Sequence, residues 1–342
     1  MQFKPTILLI YTGGTIGMVK NFDTGALKAF NFKKLLERIP EVKMLDCNIE
    51  TVSFEKPIDS SNMEPAQWVT IAKLIEDNYN NFDGFVILHG SDTMSYSASA
   101  LSFMLENLNK PVVFTGSQLP MGDLRTDAKE NLITAIQIAS LHHENKPIVT
   151  EVCLYFEYKL YRGNRTTKIN AEHFNAFTSP NYPALAESGV HLKVNKELLL
   201  PGSDKTLKVN KKLDGNVVIV KLFPGLNQQV FSAIVNIPGL RGLILETYGS
   251  GNAPSEDWFI LPLQNAIANG LHVINVTQCS GGSVNMGHYE TSTRLKEIGV
   301  ISGADITTEA AITKLMLMLG QNIPTEDFKV SFETSVKGEL SQ

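Results

Sequence analysis

The sequence predicts two α/β domains, a larger N-terminal one and a smaller C-terminal one, each built on a mainly parallel sheet. Three observations predict this. Continuous apolar runs recur, such as Ile7-Leu8-Leu9-Ile10 and Phe85-Val86-Ile87-Leu88, as expected of strands covered on both faces. Several of these runs lead into a polar, glycine-containing turn and then into a stretch with helical spacing, the rhythm of βαβ units. The rhythm breaks over residues 191–215, where lysines crowd together with Pro201, Gly202 and Asp214, and restarts at Val217. The expected division is therefore 1–190 for the first domain, 191–215 for a linker and 216–342 for the second domain, which suits a chain of 342 residues.

Each element has its own grounds. Residues 7–10 read as a buried strand that runs into Tyr11-Thr12-Gly13-Gly14-Thr15-Ile16-Gly17. Residues 19–30 show no helical period and read as a loop able to close over that turn. Asn31 can cap a short helix with Phe32, Leu35, Leu36 and Ile39 on one face, stopped by Pro40. A strand over 49–54 ends in a polar loop containing Asp59 and Ser60, and Pro65 suits the first turn of a helix carrying Trp68, Val69, Ala72 and Ile75. The run 85–88 leads into His89-Gly90-Ser91-Asp92-Thr93, followed by a helix over 94–108. A strand over 111–115, a helix over 125–141 and a strand over 152–156 follow. In the second half, strands are expected at 217–222, 242–245 and 272–276. Helices are expected around Phe231, over 258–268, and over 309–319 with Thr308 as its cap.

Charged residues make up 19% of the chain and the net charge is −5 without a basic cluster, which disfavours a nucleic-acid partner. No apolar run approaches the ~18 residues of a membrane span. Residues 1–5 lack the features of a signal peptide. Cys47, Cys153 and Cys279 are odd in number and scattered, as for reduced thiols in the cytoplasm. No set of histidines, cysteines and carboxylates has metal spacing, so no metal and no cofactor is expected.

The chemistry-bearing residues gather at strand ends of the first half: Thr15, Ser60, Ser91 with Asp92, and Lys168. In open α/β sheets ligands bind at the carboxyl ends of the strands. The glycine spacing after the first strand matches neither the dinucleotide fingerprint nor the phosphate loop. A hydroxyl is a weak nucleophile and needs a neighbouring base, for which a desolvated lysine can serve. Ser91 with Lys168 is such a pair, and Asp92 could orient the lysine or hold a substrate ammonium. Taken singly, each residue has a plainer reading. Ser91 and Thr93 could cap the next helix, Asp92 could answer its dipole, Lys168 could be a solvated lysine, and His89 could pack or hydrogen-bond beside the turn.

Thr12-Gly13-Gly14-Thr15-Ile16-Gly17 and Leu88-His89-Gly90-Ser91-Asp92-Thr93-Met94 together resemble the two active-site signatures of the bacterial-type L-asparaginases. The resemblance continues through Gly116-Ser117-Gln118-Leu119-Pro120, Arg162-Gly163-Asn164-Arg165-Thr166-Thr167-Lys168 and Tyr248-Gly249-Ser250-Gly251-Asn252. Residues 98–105 and Gln278-Cys279 look like the cytoplasmic, type I branch. The resemblance implies Rossmann- or flavodoxin-like α/β domains and hydrolysis of L-asparagine to L-aspartate and ammonia through an acyl-enzyme on Thr15. It implies a triad of Ser91, Asp92 and Lys168, and a substrate held by Asp59, Ser60, Ser91 and Asp92. A homodimer or homotetramer is implied too, with Asn252 as an inter-subunit contributor. Alternatives are a glutaminase, an amidotransferase-type amidase and a non-catalytic asparagine sensor.

Three departures stand out. Ser91 occupies a position where the family usually has threonine. Ala26 follows Gly25 where a loop tyrosine usually lies. Glu246 stands where type I enzymes with a second, regulatory asparagine site have an arginine; around that site Thr167 and Cys279 would be the remaining binding groups and Arg241 a candidate replacement cation.

Overall fold

The computed structural model describes residues 3–20, 27–29, 39–287 and 290–341. The chain divides into two compact units, Met1–Lys211 and Lys212–Gln342.

The first unit is built on an eight-stranded sheet. Its elements are β1 (Thr6–Gly13), β2 (Asn48–Ile58), α1 (Pro65–Asn78), β3 (Gly84–Leu88), α2 (Met94–Met104), β4 (Val112–Thr115), α3 (Ala128–Ala139), β5 (Val152–Phe156), β6 (Lys159–Arg162), β7 (Ala186–Ser188) and β8 (Leu192–Val194). The strand order is β8-β7-β6-β5-β4-β3-β1-β2. Strands β2, β1, β3, β4 and β5 are mutually parallel, while β5 to β8 form antiparallel steps. Every residue of β3, β4 and β5 is buried, which is why these strands read as unbroken apolar runs. One face, with Ile7, Leu9, Val86, Leu88, Val113 and Cys153, packs in one cluster with Leu132, Ala135 and Ile136 of α3. Helix α2 is buried along nearly its whole length, leaving little polar stripe.

Several elements differ from expectation. Helix α2 stops at Met104, because Leu105–Glu106 pairs with Lys208–Val209 in a short antiparallel ladder. Residues 191–211, read as linker, lie within the first unit, and Leu192–Val194 closes the edge of its sheet as β8. A three-residue edge strand with an exposed lysine between two half-buried residues carries no apolar run to reveal it. Met18–Lys20 pairs with Leu27–Ala29, while residues 21–26 and 30 of the expected closing loop lie outside the described residues. So do residues 31–38 of the expected short helix.

The second unit has a four-stranded parallel sheet in the order β9 (Val217–Lys221), β10 (Gly242–Thr247), β11 (His272–Thr277), β12 (Ile301–Ser302). Between and after these strands come α4 (Gln228–Val235), α5 (Asp257–Ala268), α6 (Glu290–Glu297), α7 (Thr308–Gly320) and α8 (Thr325–Glu333). Phe231 of α4 stacks on Phe259 of α5 at 4.4 Å, in one cluster with Leu243, Leu245 and Val273. The cap of α7 is Thr307, whose side chain accepts from Ala310 N, and not Thr308. Thr308 Oγ1 instead donates to Glu246 Oε1 at 2.6 Å. Helix α8 was not expected, since Phe328 and Phe332 are its two buried residues. Its end is tied down by Lys314 Nζ, which donates to Phe332 O and Thr334 O and pairs with buried Glu339 at 2.5 Å.

Candidate active site

Three strand ends of the first unit meet at glycines. Gly14 has φ 84°, a conformation glycine adopts at little cost. A side chain there would put its first carbon 2.5 Å from Gly90 Cα, and one at Gly90 would sit 2.5 Å from Ser60 Oγ. The glycines therefore let the turns after β1, β2 and β3 touch. Thr12 Oγ1 adds a bond to Leu88 O at 2.9 Å. Thr15, Ser60 and Ser91 each lie at or one residue from this meeting point. Thr15 opens a one-turn 3-10 helix, Thr15–Gly17, and is half-buried.

Lys168 reaches the same place from 76 residues further along the chain. It lies in the short pair Thr167–Lys168 with Phe177–Thr178. The segment before it is sewn to α2: Thr166 Oγ1 bonds Ser95 Oγ at 3.0 Å, Asn164 Nδ2 donates to Ser102 Oγ at 3.1 Å, and Gly163 packs against Ala98. Because α2 begins just after Asp92 and Thr93, this stitching fixes Lys168 relative to Ser91 and Asp92. Lys168 Nζ donates to Ser91 Oγ at 2.9 Å and to Asp92 Oδ1 at 2.7 Å. The lysine side chain is 16% exposed and the aspartate 64%, so the pair has one sheltered and one open partner.

Side-chain capping of α2 by Ser91 or Thr93 is not what the structure shows. Thr93 is the backbone cap of α2 but makes no side-chain cap bond; its Oγ1 donates to Ser60 O at 2.7 Å. Ser91 Oγ, which accepts from Lys168, donates onward to Gln118 Oε1 at 3.2 Å. Ser60 is 3% exposed. Asp59 folds its carboxylate back onto Ser61 N and Ser61 Oγ at 3.0 and 2.9 Å, and these bonds hold it below the usual carboxylate range.

Gln118 lies in the Gly116-Ser117-Gln118-Leu119-Pro120 stretch, which by itself assigns it no role. Its amide orientation is fixed by its partners: Nε2 donates to Ala171 O and His173 O at 3.2 and 3.0 Å, so Oε1 faces Ser91. Its backbone N–H and that of Leu119 are held by Asp127, whose carboxyl is pushed up by burial and pulled down by these bonds. No local sequence signal marks Asp127 as an anchor, since its partners lie eight and nine residues back. Tyr11 lies against the glycine turn after β1, its ring where a Gly17 side chain would fall, and burial pushes its phenol up to about 12. Ala26 lies outside the described residues.

Asn252 belongs to the second unit, where it closes a tight turn by exchanging backbone bonds with Tyr248 at 2.8 and 2.9 Å. Glu246, at the end of β10, accepts from Thr308 and lies 3.8 Å from Lys221 Nζ. The carboxylate thus has a cation beside it, which the sequence did not reveal. Arg241, the candidate rescuing base, is engaged by Asp214 at 2.6 Å at the other end of β10. Among the described residues no group of three or more His, Cys, Asp or Glu is arranged to hold a metal, and no helix is long and apolar enough to cross a membrane.

Sequence and structure comparisons place the chain among known proteins. Residues 6–200 match the family model "Asparaginase, N-terminal" and residues 216–332 match "Glutaminase/Asparaginase C-terminal domain". The chain is 43% identical to L-asparaginase 1 of Escherichia coli (strain K12) over 99% of its own length and 98% of that protein's. It resembles the crystal structure of L-asparaginase I from Vibrio cholerae with a TM-score of 0.91 at 39% identity, covering 99% of this chain and 100% of that one. The thermostable L-asparaginase from Thermococcus kodakarensis gives a TM-score of 0.89 at 33% identity, covering 98% and 99%. Matched in both halves and along almost its whole length, the chain belongs to the asparaginase family.

Proposed function

We propose that the chain hydrolyses L-asparagine to L-aspartate and ammonia, with Thr15 as the nucleophile. The observation that carries the mechanism is Lys168 Nζ, sheltered and held between Ser91 Oγ at 2.9 Å and Asp92 Oδ1 at 2.7 Å. A cation delivered to a hydroxyl and a carboxylate by a distant segment is a constellation for moving protons, beyond what a helix cap needs. In the first half-reaction Thr15 Oγ forms a bond to the amide carbon, the C–N bond breaks, and ammonia departs with a proton. In the second, water attacks the resulting ester, the ester C–O bond breaks, and the proton that water gives up is relayed through the Ser91-Asp92-Lys168 group to the leaving Thr15 oxygen, so that aspartate is released with the Thr15 hydroxyl and the group's own protonation both restored. The open carboxylate of Asp92 suits the substrate α-ammonium, and the Asp59–Ser60 turn suits its α-carboxylate.

With both α-groups fixed, one extra methylene carries the amide past Thr15, and misplacement by ~1 Å can cost about 100-fold. Asparagine is therefore preferred over glutamine. Ammonia release measured across a concentration series of each amide tests this; equal kcat/KM for the two would count against the geometry. The enzyme acts in the cytoplasm as a homodimer or homotetramer, with Asn252 contributing from a neighbouring subunit. Its rate curve with asparagine is hyperbolic, because the group at this position is a carboxylate, Glu246, already engaged by Thr308, and not an arginine whose fork could pair with a second-site ligand carboxylate.

A further inference from the structure

The strongest unused group in the first unit is His89. It is fully buried, one residue beyond β3, with its ring edge-on to Phe114 at 5.8 Å. Its Nδ1 lies 2.7 Å from Gly90 O and its Nε2 lies 2.8 Å from Ser97 Oγ. A carbonyl can only accept, so Nδ1 carries the proton and Nε2 is the acceptor. Ser97 Oγ in turn accepts from Trp68 Nε1 at 2.9 Å, and an indole N–H can only donate. The direction of the chain is thereby set at both ends: Trp68 donates to Ser97, Ser97 to His89, and His89 to the Gly90 carbonyl. Burial pushes the imidazole down to about 4, so at neutral pH the ring is uncharged and this pattern holds.

We propose that His89 is a positioning residue for acyl transfer: by holding the Gly90 carbonyl, it aims the Ser91 N–H at the oxyanion that forms when Thr15 attacks. The proposal rests on the acyl-enzyme reading above. In a planar trans peptide the carbonyl and the following N–H point to opposite sides. With Gly90 O turned inward to the ring, the Ser91 N–H faces away from the interior, and among the described residues it meets no acceptor. The residue that bears this carbonyl is wedged between the two neighbouring turns: Gly90 Cα and N, with His89 C, lie against the Gly14 turn that leads into Thr15, and Gly90 Cα faces Ser60. It is also the peptide of a glycine, which has no side chain to resist rotation. The lock that keeps it from turning is the imidazole. A fixed donor beside a nucleophile acts on charge that appears only in the transition state.

The test compares His89→Asn, His89→Gln and His89→Leu in steady-state ammonia release from asparagine, with thermal unfolding in parallel. Asparagine's side-chain amide can stand in for Nδ1–H and reach Gly90 O, whereas glutamine's can stand in for Nε2 and reach Ser97. We expect kcat to fall about 100-fold for His89→Gln and His89→Leu with KM nearly unchanged, in line with the loss of an oxyanion donor. His89→Asn should recover at least about tenfold of that loss while being no more stable than His89→Gln. Equal kcat for the asparagine and glutamine variants, or kcat that simply follows unfolding temperature across the set, overturns the proposal. Should the leucine variant fail to fold, the asparagine–glutamine pair decides alone. Thr15→Ala is assayed beside them: if it turns over, the acyl-enzyme reading itself falls, and if it is inactive while the two variants match, only the role of His89 falls.

Discussion

Acidification should reveal His89 as a stability switch. In the unfolded chain its imidazole takes its ordinary value of 6.5, and in the folded protein burial lowers it to about 4. The folded state therefore binds fewer protons than the unfolded state between these two values. The contribution is fully present above pH 6.5 and is lost as pH falls toward 4. A difference of about 2.5 units at 1.36 kcal/mol per unit is roughly 3 kcal/mol, a large fraction of the ~5–15 kcal/mol by which domains are stable. Two measurements check it. Nitrogen-15 NMR of histidine-labelled protein should show one ring that stays neutral as the Nδ1–H tautomer down to about pH 4.5. Denaturant unfolding of the first unit at neutral and acid pH should lose less stability in His89→Asn than in the wild type, by roughly 2–3 kcal/mol. His272, also lowered by burial, and Asp59 and Asp214, both held low, titrate in each protein and cancel in the comparison. A His89 ring that titrates near its ordinary value, or carries its proton on Nε2, would refute the hydrogen-bond assignment.

Further outcomes follow from the same geometry. Ser91→Ala removes the atom between Lys168 Nζ and Gln118 Oε1 and should lower kcat by a few hundred-fold, whereas Ser91→Thr, with a stiffer χ1, should keep or slightly raise it; a mild effect of alanine removes Ser91 from the catalytic group. Asp127→Ala leaves two backbone N–H groups of the Gln118 loop without their acceptor and should lower stability by about 1–3 kcal/mol, read from denaturant unfolding; an unchanged midpoint would show that the loop holds itself. A Hill coefficient clearly above ~1.5 with asparagine, lost on mutating Thr167 or Cys279, would show that a second site operates despite Glu246.

The parallel strands were legible because of where they sit. Ile7 to Ile10 and Phe85 to Leu88 are covered on both faces, so their apolar runs are unbroken. β8 was not legible, since Leu192–Val194 owes its existence to pairing with Ala186–Ser188. The end of α2 was misjudged because its competitor, Lys208–Val209, lies about a hundred residues away. The site was legible as a set of residue types at strand ends, and the structure brings Lys168 onto Ser91 and Asp92. The use made of Gln118, Asp127 and His89 was not. Their roles depend on partners such as Trp68 and Ser97, whose polar atoms face inward from helices that read simply as amphipathic.

The central claim is that Thr15 carries the substrate's acyl group during turnover. Rapid acid quenching of the enzyme mixed with excess asparagine, followed by peptide mass spectrometry, tests it directly. The peptide containing Thr15 should gain the mass of asparagine less ammonia, with the added group on the Thr15 hydroxyl, and Thr15→Ala should neither carry it nor release ammonia. Turnover with no adduct on any residue in pre-steady-state samples, together with an active Thr15→Ala enzyme, would contradict it.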